Sequence, residues 1–185
     1  MNPDLRAKRL EILHDMAPKL RRIGVLHDPK QSALDETIFL GVEKGANALG
    51  KELLFVGVGA TDNIDEAFLK LEKWRALALV VLASPFFYNH RKILLERAVK
   101  YRLPTVTGTG DYAEAGGLIS YGADYADLCR RSAAYAARIL KGENPAALPV
   151  QQPTKFEFVI NLKTAKALGL TIPRQVLLRA DRVIE

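Results

Sequence analysis

Short apolar runs recur along this chain about one helix apart: Arg22-Ile-Gly-Val-Leu-His27, Glu52 to Val58, Ala76 to Ala83 and Leu103 to Thr107. Between them lie longer stretches whose apolar residues return at helical spacing, as Ile64, Ala67, Phe68, Leu71 and Trp74 do after Thr61-Asp-Asn63. Strands alternating with helices of this length join through right-handed crossovers into a parallel sheet with helices on both faces. The run Ala76 to Ala83 is apolar without alternation, which suits a strand at the buried centre of such a sheet. The expected fold class is therefore α/β, a doubly wound parallel sheet. Further helices are expected over Leu5 to Leu20, from about Ala33 to Leu49 and from Arg91 to Tyr101, while Ser84-Pro-Phe-Phe-Tyr-Asn89 reads as a loop.

The rhythm changes after Thr107. Gly108-Thr-Gly110 and Gly116-Gly117 bracket a loop-like stretch, Leu118-Ile-Ser-Tyr121 is a short strand, and Asp124 to Leu140 is an amphipathic helix. Gly142, Pro145 and Pro149 mark a linker. Beyond it, Lys155-Phe-Glu-Phe-Val-Ile160 is a half-buried strand, Asn161 a cap, and Leu162 to Leu168 a short helix stopped by Gly169 and Pro173. The chain thus divides into βα units over 1–107, a differently organised segment over 108–143, and a C-terminal strand and helix over 144–185.

With 185 residues, 49% of them apolar, the chain can bury a sizeable core. Nothing approaches the roughly 18 consecutive apolar residues of a membrane span, and the first ten residues lack the apolar core of a secretory signal. The net charge of +6 is scattered among acidic residues without a basic block, which argues against nucleic acid as a partner. The single cysteine, Cys129, can form no internal disulfide, and as a small apolar side chain on a helix it is expected to be buried. No zinc spacing, Walker loop or G-x-S-x-G elbow is present. Gly108-Thr-Gly-Asp-Tyr-Ala113 fits the dinucleotide fingerprint formally, but Glu114-Ala-Gly-Gly117 ends the segment before a long helix could form. No metal or cofactor is expected.

Ligands of open parallel sheets bind beyond the carboxyl ends of the strands. Three loops there carry suitable chemistry. Asp28, Gln31 and Ser32 offer a carboxylate, an amide and a hydroxyl after the first strand. Ser84, Phe86 and Phe87 follow the third, where adjacent rings could stack on a flat ligand. Thr107 and Asp111 follow the fourth, and Asp111 could pair with an ammonium. For each polar residue the competing role is to cap a helix or stabilise a turn.

The run Leu148 to Pro173, together with Ala134 to Gly142, Glu114-Ala-Gly-Gly-Leu-Ile-Ser-Tyr-Gly122, Arg102-Leu-Pro-Thr-Val106, Ile23-Gly-Val-Leu26 and Lys8-Arg-Leu-Glu-Ile-Leu13, resembles one family of ABC-transporter substrate-binding proteins. That family has the type I periplasmic-binding-protein fold and includes members similar to tryptophan-binding ones. The resemblance implies a second lobe plus a return segment, with Gly117 to Lys141 packed on a first lobe. It implies a small organic solute such as an amino acid, closure of two lobes over it, and an ABC permease and ATPase as partners. By resemblance the protein is periplasmic; as a complete product without a signal it would be cytoplasmic. The apolar stripe with Leu128 and Ala136 leads to the expectation of a homodimer. The alternatives are an interaction or dimerisation module and an enzyme on a Rossmann-like sheet.

Overall fold

The computed structural model describes residues 3–33, 39–61 and 63–185. A first helix, α1 (Pro3–Met16), leads into β1 (Arg22–His27), followed by a single turn of helix, α2 (Pro29–Ser32), then α3 (Leu40–Ala48) and β2 (Glu52–Gly57). Next come α4 (Asn63–Lys73), β3 (Ala78–Val81), α5 (Pro85–Asn89), α6 (Arg91–Lys100) and β4 (Thr105–Thr107). The chain continues through α7 (Gly110–Glu114), β5 (Ile119–Ala123), α8 (Tyr125–Leu140), β6 (Phe156–Asn161), α9 (Leu162–Ala167), α10 (Arg174–Leu177) and β7 (Arg182–Ile184). The expected helix over 33–49 is represented by α3, since 34–38 lie outside the described residues, as does Asp62 of the Thr61-Asp-Asn63 cap.

The seven strands form one sheet in the order β2-β1-β3-β4-β5-β6-β7. β1 to β5 are parallel, as their helical crossovers require, whereas β6 runs antiparallel to β5 and β7 parallel to β6. The sheet is therefore mixed, and the cause is local. After β5 the chain makes an excursion that begins at Asp124 and returns at Lys155, where Asp124 N–H donates to Lys155 O at 3.0 Å. A strand starting where β5 stops can pair with it only by running back, and Ala123 faces Phe156 across the pair.

Side-chain alternation along β3 explains the two-sided core. Ala78 and Val80 join Ile12, Leu13, Val42 and Ala46 under α1 and α3, while Leu79 and Val81 join Phe68, Leu71, Leu94 and Leu95 under α4 and α6. On the second face α4 lies so close to β1 that a Cβ on Gly24 would sit 2.2 Å from Leu71 Cδ2. Asn161 locks the C-terminal part in place: its Oδ1 accepts from Thr164 N–H at 3.0 Å, capping α9, and its Nδ2 donates to Ala113 O of α7 at 2.8 Å.

Residues 108–143 divide into two environments. β5 is built into the sheet between β4 and β6, but α8 stands away from it, with Asp127 alone among its residues buried. That carboxylate is held by Arg131 Nε at 2.7 Å and by Lys155 Nζ at 3.6 Å, which fastens the first turn of α8 to the start of β6. Cys129, expected inside, is exposed for the same reason: no sheet lies beneath that helix.

Candidate functional site

An open cleft of about 1440 Å³ lies above the carboxyl ends of β3, β4 and β5 and reaches the start of β6. On the β3 side, Ser84 in extended conformation caps α5, its Oγ accepting from Phe87 N–H at 3.1 Å, and Pro85 takes the first helical position. The segment expected as a loop is thus a helix turn and a half long. Ser84 and Tyr88, four residues apart, both line the cleft. The Tyr88 hydroxyl donates to Asp111 Oδ2 at 2.6 Å, and the Arg91 guanidinium lies 4.4 Å from the Tyr88 ring centroid. The hydrogen bond to Asp111, and then that carboxylate's charge, raise the Tyr88 hydroxyl above the usual tyrosine value.

On the β4 side, Gly108 and Thr109 lead into α7, which carries Asp111 at the surface and Tyr112 buried behind it. The rings of Tyr88 and Tyr112 meet edge to face at 6.3 Å, and burial pushes the Tyr112 hydroxyl far up. α7 stops at Glu114 and Gly116 turns the chain at φ +108°, so no long helix follows the glycines as a dinucleotide loop would need. The far side is formed by Tyr125 at the start of α8, more than half exposed, and by Phe156, whose ring stacks on Tyr121 at 6.2 Å. Beside them Arg182 pairs with Glu114 at 2.6 Å and with Glu157 at 3.3 Å. Among the described residues no group of His, Cys, Asp and Glu side chains is placed to hold a metal ion.

The residues singled out from sequence separate here. Gln31, Ser84 and Asp111 line the cleft. Asp28 and Ser32 are occupied at the α2 turn: Asp28 Oδ1 accepts from Lys30 N–H at 3.0 Å, and Ser32 Oγ donates to Pro29 O at 3.2 Å. Phe87 and Thr107 do not reach the cleft at all. Phe87 is wholly buried in the core under α6, because the α5 helix turns it inward, and Thr107 Oγ1 donates to Ile119 O of β5 at 3.1 Å inside the sheet. Phe86 is half-buried against His90, ring centroids 4.5 Å apart, outside the cleft lining. Tyr125, Phe156 and Arg6 were not anticipated, and of the three rings that follow the third strand the sequence favoured Phe86 and Phe87 where Tyr88 lines the cleft. Reading Ser84-Pro85 as a cap and first helical residue would have placed Tyr88 on the face of Ser84; Arg6, one of two cations on the buried side of α1, offered no such signal.

The family description "ABC transporter substrate binding protein" matches residues 2–184. The chain belongs to that family. It is 23% identical over 164 residues to the tyrosine-binding protein of Clostridioides difficile strain R20291, a match covering 88% of this chain and 47% of that protein. A conserved domain protein of Vibrio cholerae O1 biovar El Tor is 25% identical with a TM-score of 0.86, covering 96% of this chain and 60% of that one. An ABC domain from Streptococcus pneumoniae, solved in complex with L-Trp, is 24% identical, also with a TM-score of 0.86, covering 98% of this chain and 62% of that one. The chain therefore spans about half the length of the curated relative it matches, 47%, and about three-fifths, 60% and 62%, of these two solved structures. Both solved structures share the α/β architecture of this substrate-binding family member. No described helix is long and apolar enough to cross a membrane.

Proposed function

We propose that this chain forms one wall of the solute cleft of a binding protein serving an ABC importer, and that it holds a small organic solute, such as an amino acid, without making or breaking bonds. The observation that carries this reading is the cleft beyond the strand ends, which Tyr88, Tyr125, Phe156 and Asp111 all line. Each ring offers a stacking face contributing about 0.5–1.5 kcal/mol beyond its area burial, and Asp111 offers a carboxylate to an ammonium. The similarity to a tyrosine-binding protein supports an aromatic amino acid as the solute.

Binding proceeds by closure of a second wall over the ligand, which favours the closed state. In this reading the second wall is the part of the longer relatives outside the match, and the bare face of α8, with Leu128 and Ala136, packs on it. The ABC permease and ATPase are the downstream partners, and the place of work is outside the cytoplasmic membrane. A second copy of this chain is the alternative cover for α8, favoured by the exposed Ile139 and Leu140 at its end.

Isothermal titration with L-tyrosine, L-tryptophan and L-leucine tests the reading. The aromatic solutes are expected to bind at least tenfold more tightly than leucine, and Tyr125→Ala and Phe156→Ala to weaken them without lowering the unfolding midpoint. Equal binding of leucine, or no binding at all, would sink it. Light scattering separates the two covers for α8: a concentration-dependent dimer favours the second copy.

A further inference from the structure

Beneath the floor of the cleft lies a charge that the aromatic wall leaves unexplained. Arg9 of α1 is 2% exposed, and its Nε donates to Tyr121 O at 2.7 Å. Among the described residues no carboxylate pairs with it, and the charge that acts on it most is that of Arg6, itself buried and one turn earlier on α1. Burial first and Arg6 second lower the Arg9 guanidinium to about 10.

Just past the end of β4, Gly108 leaves room for this group by lacking a side chain. A Cβ on Gly108 would lie 2.8 Å from Arg9 Nη2, and one on Gly122 would lie 3.4 Å from the same nitrogen. The guanidinium therefore rests against Gly108, which together with Arg6 lines the cleft. The adjoining Thr109 also lines it, with Oγ1 buried and lacking a hydrogen-bond partner among the described residues. A buried cation that meets no opposite charge among the described residues, and a buried hydroxyl without a partner among them, are both unfavourable on their own. An anion seated over Gly108 and Thr109 satisfies both at once.

We propose that this floor is an anion subsite for the carboxylate of the solute, with Thr109 Oγ1 donating to it in the lining and Arg9, beside Arg6, balancing its charge from beneath. The proposal rests on the reading of the cleft as a solute site and narrows the solute to one that carries a carboxylate. Asp111, two residues along and exposed, then receives the ammonium of an amino acid. A zwitterion is thereby held in one orientation, with its ring toward Tyr88, Tyr125 and Phe156.

The test compares L-tyrosine with tyramine, which has the same ring and ammonium but no carboxylate, on the full chain. L-tyrosine is expected to bind at least tenfold more tightly, and the ¹⁵N–¹H signal of Arg9 Nε to shift with L-tyrosine and not with tyramine. Thr109→Val, nearly isosteric, is expected to weaken L-tyrosine several-fold and leave tyramine unchanged. Arg9→Met, confirmed as folded by circular dichroism, should remove the preference between the two. Tyramine binding as tightly as L-tyrosine, with the Arg9 signal stationary, would overturn the subsite and leave the aromatic cleft standing. Binding of neither solute would remove the cleft reading and the subsite with it.

Discussion

The Tyr88 hydroxyl donates to Asp111 Oδ2 at 2.6 Å and so ties α5 to α7 across one side of the cleft. This bond stabilises the neutral phenol, and the folded-state value lies above the ordinary one. Its contribution to stability is therefore present below about pH 10, the ordinary tyrosine value, and is lost as pH rises through the folded value. In a spectrophotometric titration of tyrosinate absorbance, Tyr88 should ionise later than a model tyrosine. Asp111→Asn should bring it back toward the ordinary tyrosine value; an unchanged titration in that variant would show that the carboxylate is not the cause.

Phe86 and Phe87 are adjacent in sequence and opposite in role. Phe87 is fully buried in the core shared with Leu94 and Leu95, so Phe87→Ala is expected to cost about 3–5 kcal/mol in urea unfolding. Phe86, half-buried against His90, should cost clearly less when truncated. Equal losses would mean that the α5 turn does not orient the two rings as described.

Glycine substitutions separate a soft neighbour from a hard one. At Gly24 the added Cβ meets Leu71 Cδ2, the end of a flexible side chain, and Gly24→Ala should cost about 1–3 kcal/mol through overpacking. At Gly122 it would meet Gly108 O at 1.8 Å, a backbone atom that moves only if β4 and β5 separate. Gly122→Ala should therefore be the more damaging in chemical denaturation, and a smaller loss than that of Gly24→Ala would contradict the close approach of these strand ends.

Local stability should differ sharply between β3 and α8. The β3 strand is buried throughout, whereas α8 buries one residue and is fastened mainly by its cap and by Asp127. Hydrogen exchange of the isolated chain should be slow at Leu79 and Val80 and orders of magnitude faster over Ala133 to Leu140. Asp127→Ala should speed it further in the first turn of α8. Protection of Ala136 comparable with that of Val80 would reveal a covering partner.

The βα rhythm was legible because Arg22 to His27 and Ala78 to Val81 are apolar runs whose neighbours keep helical spacing, and both are strands of the sheet. The reversed direction of β6 was not, because it depends on where the excursion after β5 ends, and strand patterning carries no sign of direction. The same limit applies to the cleft. Asp111 and Ser84 could be placed by following strand ends, but Phe87 and Thr107 sit at equally plausible strand-end positions and point inward for reasons set by one helix turn and one cross-strand bond. Arg6 reaches the cleft from α1, far away in sequence, and Arg9 lies beneath Gly108; only the packing of α1 against the ends of β4 and β5 brings them there.

The bond from Asp124 N–H to Lys155 O places the two ends of a long excursion side by side. Such a segment behaves as a plug-in module: the sheet senses only where it leaves and where it re-enters. Its helix can be lengthened, redesigned to fit a different opposing wall, or exchanged for a tight turn closing β5 and β6 into a hairpin, while the register from Ala123 and Phe156 downward stays as it is. Evolution and protein engineering thus have the same handle here for changing what this wall pairs with, without rebuilding the scaffold that carries the cleft.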